Sequence, residues 1–369
     1  MAPFRRALIL AAIILTSLYL LHRHQSNTAP TVLSQKAEAT SSSNDKAASN
    51  AAAPAPYTPP PGTAKQQQLQ KFHELRKRPL KEQLAYQFPY NVRSKFPKFI
   101  WQTWKYTPSS NLFEEKYRES EASWTEAHPG FVHEVITDSV AKHLVKYLYG
   151  AVPEVVEAYN AMPIPILKAD FFRYLILLAR GGVYADIDTY ALKPAQEWVN
   201  PAFKPSNLGL VIGIEADPDR PDWHDWYSRR IQFCQWTIQC KPGHPVLLEI
   251  VSKITKETLE RKRSGQLTKD HHTVLEWTGP GPWTDAVFQY FNDPEYFDME
   301  TSTGEIGPMN FTKMTEPIQV GDVVVLPITA FSPGIGHSGA GEVDDPMACV
   351  QHGFEGLLPK MELSLRLIS

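Results

Sequence analysis

The stretch from Ile166 to Asp188 constrains the fold of this chain more than any other. From Ile166 to Arg180, Phe171, Leu175, Ile176 and Leu178 recur at the spacing of one helix face. Gly181-Gly182 supplies the left-handed stop that ends such a helix, and Val183 to Tyr190 reads as a strand. A helix that stops on glycine and passes straight into a strand is the unit from which α/β domains with parallel sheets are assembled.

The same stretch carries the chemistry. Asp170 and Arg173 lie three apart and share a helix face. Asp186 and Asp188 lie two apart, and in an extended chain both carboxylates point to one side of the sheet while Ile187 points to the other. Two carboxylates crowded at a strand end repel one another unless a cation sits between them, and hard oxygen ligands suit Mg²⁺ or Mn²⁺. A plainer alternative stays open at this point: the aspartates cap a turn, and Asp170 and Arg173 form a simple salt bridge. Haloacid-type phosphohydrolases also use an Asp-x-Asp pair, but they want Thr or Val four residues after the first aspartate, where this chain has Tyr190.

The remainder supports a single α/β domain from residue 96 to 369. Lys98–Trp104 and Phe131–Asp138 read as strands, Val140–Tyr149 and Val152–Tyr159 as helices, Leu208–Glu215 and Asp322–Ile328 as further strands, and Pro245–Arg263 as a helix. Trp277-Thr-Gly-Pro-Gly-Pro-Trp283-Thr-Asp285 reads as a rigid aromatic loop. Lys plus Arg is 37 and Asp plus Glu is 40, with no long basic run, which excludes nucleic acid as a partner. Cys234 and Cys240 either bridge locally or stay as buried thiols, and Cys349 is left over.

Before this domain the composition changes twice. Ala7–Leu21 is an uncharged, predominantly apolar run between Arg5-Arg6 and His22-Arg23-His24. Its length of about 22 Å fits a short signal anchor in a thin membrane, with residues 1–6 as a cytoplasmic tail; a cleaved signal peptide has the same arginine pair and apolar length, but no Ala-x-Ala site follows directly. Residues 22–95 are rich in Ser, Ala, Gln and Pro, a composition that buries too little apolar area to fold, and are expected to form a flexible luminal stem. A short helix is expected within Gln66–Tyr86 from the spacing of Leu69, Phe72 and Leu75.

The Leu167–Asp188 segment resembles the donor-binding segment of the sugar transferases of glycosyltransferase family 32, above all the fungal α-1,6-mannosyltransferases that start the outer chain of N-glycans. The resemblance extends through FPKFIWQTWK at 96–105, SWTEAHPGFVHEVITD at 123–138, QWTIQCKPGHPVL at 235–247, EWTGPGPWTDAV at 276–287 and DVVVLPITAFSPGIGH at 322–337. It implies an α/β GT-A-like nucleotide-sugar-binding fold with a mixed, mostly parallel central sheet. It further implies a GDP-mannose donor, an N-glycan or mannoprotein acceptor, Mn²⁺ (or Mg²⁺), retention of anomeric configuration, and a single-pass type II protein of the Golgi membrane. It puts Trp104 beside the nucleobase, Asp170 and Arg173 on ribose and sugar, and Asp186 and Asp188 at metal and diphosphate, with Lys168 and Tyr184 as further donor-binding candidates. His337 and His352 are candidates for a third metal ligand, His352 being preferred and His337 otherwise facing the acceptor. Trp283 and Asp285 are acceptor candidates, Asp285 alternatively capping a helix, and Asn310-Phe-Thr312 is a glycosylation sequon. Relatives continue with Ser-Trp where this chain has Leu357-Leu358, so an inactive glycan-binding or complex-stabilising homologue is the rival expectation.

Overall fold

A computed structural model describes residues 74–354, apart from 219–220, 271–272 and 298–303. The tail at 1–6, the apolar run at 7–21, the stem up to residue 73 and the Leu357-Leu358 departure lie outside the described residues. Among the described residues no helix is long and apolar enough to cross a membrane.

The first element is α1 (Leu80–Gln87), within the segment assigned above to the stem. Leu84 is fully buried in the main core, Gln87 Nε2 donates to the Leu148 carbonyl at 2.5 Å, and Tyr90 hydrogen-bonds Asp322. Residues 80–95 are therefore folded onto the domain. Their polar average composition hides Leu84 and Phe88, the apolar residues that dock them.

From here α/β alternation sets the order. β1 (Phe99–Thr103) is followed by α2 (Arg118–Ala127), β2 (Val132–Ile136), α3 (Asp138–Leu148), α4 (Pro153–Ala161) and α5 (Pro165–Arg180). Next come β3 (Gly182–Ala185), β4 (Thr189–Ala191), β5 (Leu210–Ala216), β6 (Gln232–Phe233), β7 (Thr237–Cys240) and α6 (Pro245–Arg263). The described part closes with α7 (Val274–Trp277), α8 (Pro280–Phe291), β8 (Ile318–Val320), β9 (Val323–Leu326), α9 (Ile328–Phe331) and β10 (Val350–His352).

The main sheet runs β2-β1-β3-β7-β5-β9-β8, with β6 on β5. β1 pairs in parallel with β2 and β3, and β5 with β9, whereas β7 is antiparallel to both β3 and β5. The sheet is thus mixed, and β1, β3, β5 and β9 all end at the same edge. Alternation along the strands fills both faces. Tyr184, Ile212 and Val325 join a core with α3 to α6 and α8, and Val183, Val211 and Val324 join another with Trp124 of α2 and Phe331 of α9.

Gly181 and Gly182 join α5 to β3 at φ +64° and +102°. A Cβ on Gly182 would stand 2.6 Å from the Phe99 carbonyl oxygen, so only glycine lets β3 lie this close to β1.

One expectation changes and one open alternative is decided. The Gly279–Asp285 stretch is the start of α8 rather than a loop, because Pro280 occupies the first helical turn, where backbone N–H groups lack helical partners in any case. Cys234, Cys240 and Cys349 are all free and buried, so the 234–240 bridge is absent.

Candidate active site

Because β1, β3 and β5 point the same way, the residues just past or at their ends gather at one edge: Trp104, Asp186 and Glu215. β7 runs the other way, so the residues that precede it, Gln235 and Trp236, arrive at that edge too. All five line a cavity of about 600 Å³, with Asp170 and Arg173 of α5 on one flank and Asp188 and His352 on another. Crevices outside the carboxyl ends of sheet strands are where open α/β folds bind ligands.

On α5, Asp170 and Arg173 share a face as their spacing predicts, and both are almost wholly buried. Arg173 Nη2 bonds Asp170 Oδ1 at 2.9 Å and Asp186 Oδ1 at 3.2 Å. Tyr184 donates its hydroxyl to the same Asp186 oxygen at 2.8 Å, and Thr278 donates to Asp170 Oδ2 at 2.9 Å. Burial pushes the Asp170 carboxyl up to about 6, against the opposing pull of Arg173. Asp186 is likewise raised, by burial, with Arg173 pulling it down and Asp188 pushing it up. Two nitrogens of Arg173, Nε and Nη1, are buried without a partner.

The Asp-x-Asp pair sits in a turn between β3 and β4, not within a continuous strand. Thr189 N–H closes the turn onto the Asp186 carbonyl at 3.1 Å, and Asp186 N–H and the Asp188 carbonyl are held by Trp236 and Gly353 at 2.8 Å each. Ile187, 4% exposed, is the inward member, packed with Phe113 and Tyr117. β10 pairs antiparallel with β4, setting His352 opposite Thr189 and so beside Asp188, with Nε2 3.4 Å from Oδ1. Asp186, Asp188 and His352 each offer a ligand atom within 4.8 Å of the others. Two carboxylates and an imidazole suit Mn²⁺ or Mg²⁺. Arg173 and Tyr184 both bond Oδ1 of Asp186, so ligation through its other oxygen would leave them in place.

Residues 114–204, which include this turn and α5, match the family described as a glycosyltransferase sugar-binding region containing a DXD motif. The chain is 49% identical to the initiation-specific α-1,6-mannosyltransferase of Candida albicans over 77% of this chain and 78% of that protein. It belongs to that family. Its similarity to the proteins of the same name is 47% identity in Schizosaccharomyces pombe, over 74% of this chain and 66% of that one, and 34% in Saccharomyces cerevisiae, over 75% and 81%.

In this member of the α-1,6-mannosyltransferase family the structure collects Trp104, Asp170, Arg173, Asp186, Asp188 and His352 around one cavity. Trp104 donates its indole N–H to Glu114 at 2.6 Å and stands edge-on to Tyr117, which fixes the ring at the cavity wall. Other expected residues fall elsewhere. Lys168 is absent from the lining, since the face of α5 that meets the cavity carries Ile166, Ala169, Asp170 and Arg173. Tyr184 is fully buried beneath the Arg173 guanidinium, 5.0 Å from its ring, and reaches the site through Asp186, Thr103 and Arg173 rather than by lining it.

The acceptor candidates are corrected most. Trp283 is fully buried, stacked on Tyr174 at 5.4 Å with its N–H on the Cys234 carbonyl, because the helical start at Pro280 turns it into the core. Asp285 neither caps a helix nor lines the cavity; it is forked by Arg229 at 2.7 and 2.8 Å and reached by Lys253 at 3.2 Å. His337 bonds its neighbour Ser338 at 3.0 Å and lies off the cavity. Asn310 is exposed, in a short 3-10 turn.

Glu215, Gln232 and Trp236 line the cavity without having been expected there. The signal for Trp236 lay in the QWTIQC segment just before a strand. Glu215 is the penultimate residue of an apolar strand, and nothing in such a run distinguishes an inward carboxyl from a solvated one.

Proposed function

We propose that this protein transfers mannose from GDP-mannose to the 6-hydroxyl of a mannose in an N-glycan, with retention of configuration and a divalent ion, on a GT-A-type scaffold. The observation that carries this reading is the meeting of Asp186, Asp188 and His352 with the Asp170–Arg173 pair in one cavity, in a chain whose relatives bear the mannosyltransferase name.

The residues divide the work. The Trp104 indole offers a flat apolar face against which a nucleobase stacks. Arg173, with Nε and Nη1 unpartnered, presents donors to phosphate or sugar oxygens. Asp170 accepts from sugar hydroxyls and keeps Arg173 oriented at 2.9 Å. Asp186, Asp188 and His352 would hold Mn²⁺ or Mg²⁺, which supplies charge neutralisation to the departing diphosphate. As the bond from the anomeric carbon to phosphate breaks and the bond to the acceptor oxygen forms on the same face, the departing phosphate oxygen takes the acceptor proton. No side chain is then needed as a strong base. The apolar run at 7–21 would anchor the protein in the Golgi membrane with the domain on the luminal side.

The test is transfer of mannose by the full-length protein from GDP-mannose to a mannoside acceptor in Mn²⁺. Asp188→Ala is expected to lower the rate at least a hundredfold. An unchanged rate in that variant removes the metal site from the reaction, and donor binding without turnover in the wild type would favour the inactive-homologue reading.

A further inference from the structure

Glu215 stands apart from the groups used above. β5 pairs with β6 through Ile214 opposite Phe233 and Ala216 opposite Gln232, so Glu215 is the extra residue of a β-bulge. Bulges re-aim side chains and recur beside active sites. Here the bulge falls at the strand end that meets the cavity, and Glu215 and Gln232 both line it. Gln232 hydrogen-bonds the Glu215 carboxyl and is itself fixed by the Ser228 N–H at 3.1 Å. The carboxyl is held on one side only, since Oε2 is buried and has no partner. An acid with one oxygen buried and unpaired destabilises the free protein, and its presence at a ligand cavity calls for a ligand group that completes it.

The surroundings specify the chemistry of that group. Burial pushes the Glu215 carboxyl up to about 8, with Gln232 and Arg173 pulling it down. A neutral carboxyl donates one hydrogen bond and accepts others, which matches a hydroxyl, itself donor and acceptor. It also faces a diphosphate-bearing ligand without charge repulsion. The same lining carries the apolar surfaces of Trp226, Trp236, Leu275 and Pro280, against which the C–H face of a pyranose can rest.

We propose that Glu215, held by Gln232, is a sugar-binding residue of this cavity that hydrogen-bonds a hydroxyl of the hexose on the nucleotide donor or of the accepting sugar. The proposal rests on the transferase reading above and extends it to a residue outside the Asp-x-Asp segment.

The experiment compares full-length wild type, Glu215→Gln and Glu215→Leu in Mn²⁺. Binding of GDP and of GDP-mannose is measured by calorimetry, transfer kinetics by varying each substrate, and Tm by thermal unfolding. Glu215→Leu is expected to lose tenfold or more in kcat/KM, with GDP affinity within twofold of wild type and Tm equal or higher. Glu215→Gln, which keeps a donor and an acceptor, should recover most of the loss. A deficit in GDP-mannose affinity assigns the hydroxyl to the donor hexose; a raised KM for the mannoside alone assigns it to the acceptor. A Glu215→Leu protein within twofold of wild type in kcat/KM overturns the proposal. So does one that loses GDP affinity together with Tm, since that pattern marks a purely structural role. If wild type binds GDP but shows neither added affinity for GDP-mannose nor transfer, the transferase reading falls first and this inference with it.

Discussion

Asp170→Asn should stabilise the protein while abolishing its activity. Burial holds the Asp170 carboxyl at about 6 against an ordinary 3.8, even with Arg173 Nη2 at 2.9 Å. The unfolded chain therefore releases this proton first, and between about pH 4 and 6 stability falls as pH rises, the whole cost being present above 6. At about 1.4 kcal/mol per pH unit, the gap between 3.8 and about 6 corresponds to roughly 3 kcal/mol. Asparagine keeps the shape without the charge. Its carbonyl can still accept from Arg173 while its amide donates to the Thr278 hydroxyl, and Arg173 keeps Asp186 at 3.2 Å. For a domain of this size that gain raises Tm by several degrees, at most about 10 °C. The assay is thermal unfolding of the full-length variant and wild type from pH 4.5 to 8 in chelator, with transfer measured alongside in Mn²⁺. The variant should lead at pH 7.5, the lead should shrink toward zero near pH 4, and transfer should fall at least a hundredfold. A variant that trails wild type at pH 7.5 and catches up at pH 4.5 would refute the reasoning, because the charged Asp170 would then be stabilising the fold.

Trp283→Phe should lower Tm, since the fully buried indole loses its bond to the Cys234 carbonyl, yet leave KM for the acceptor within twofold; Trp283→Ala should cost about 3–5 kcal/mol. Mn²⁺ at a hundred times its Kd should stabilise wild type by about 2.7 kcal/mol, read as a rise in Tm, and His352→Ala should lose most of that rise. Because all three cysteines are free and buried, a reducing agent should leave Tm unchanged, and a thiol reagent should label the protein only after unfolding.

What could be read from the residues follows physical range. α6 runs from Pro245 to Arg263 as its pattern predicts, with a proline in its first turn and three basic residues in its last. α5 begins one residue before the expected Ile166 and ends at Arg180 before the glycine pair. These signals are local. The Asp-x-Asp pair converges on one point for a different local reason than alternation along a strand: Ile187 is buried inside a turn and its two neighbours are left facing out. Trp283 was misplaced because Pro-Gly-Pro looks like a loop until Pro280 is seen as the first residue of a helix. The direction of β7 and the bulge at Glu215 are properties of pairing between distant strands, and no short window of residues encodes them.

The reversal of β7 does more than make the sheet mixed. Had β7 run parallel to β3 and β5, its far end at Cys240-Lys241 would have met the cavity edge, and Trp236 would have stood at the opposite one. As built, Trp236 sits between the strand ends that carry Asp186 and Glu215. Its indole lies parallel to the His352 ring at 4.5 Å, while Phe354 closes on both rings edge-on. His352 comes from the last strand described and is tethered to the Asp-x-Asp turn by the short β4–β10 ribbon and by the Gly353 N–H on the Asp188 carbonyl. The stacked indole is the main-sheet surface against which that imidazole is held, so one strand reversal lets the last described strand bring a candidate ligand to a site whose carboxylates lie more than 160 residues earlier. Arg173 Nε and Nη1, Glu215 Oε2, Trp236 Nε1 and His352 Nδ1 are all buried without partners in residues lining that one cavity. Such groups occur elsewhere in the core too, but these five, in four residues around one cavity, are the ones a polar ligand entering it can satisfy.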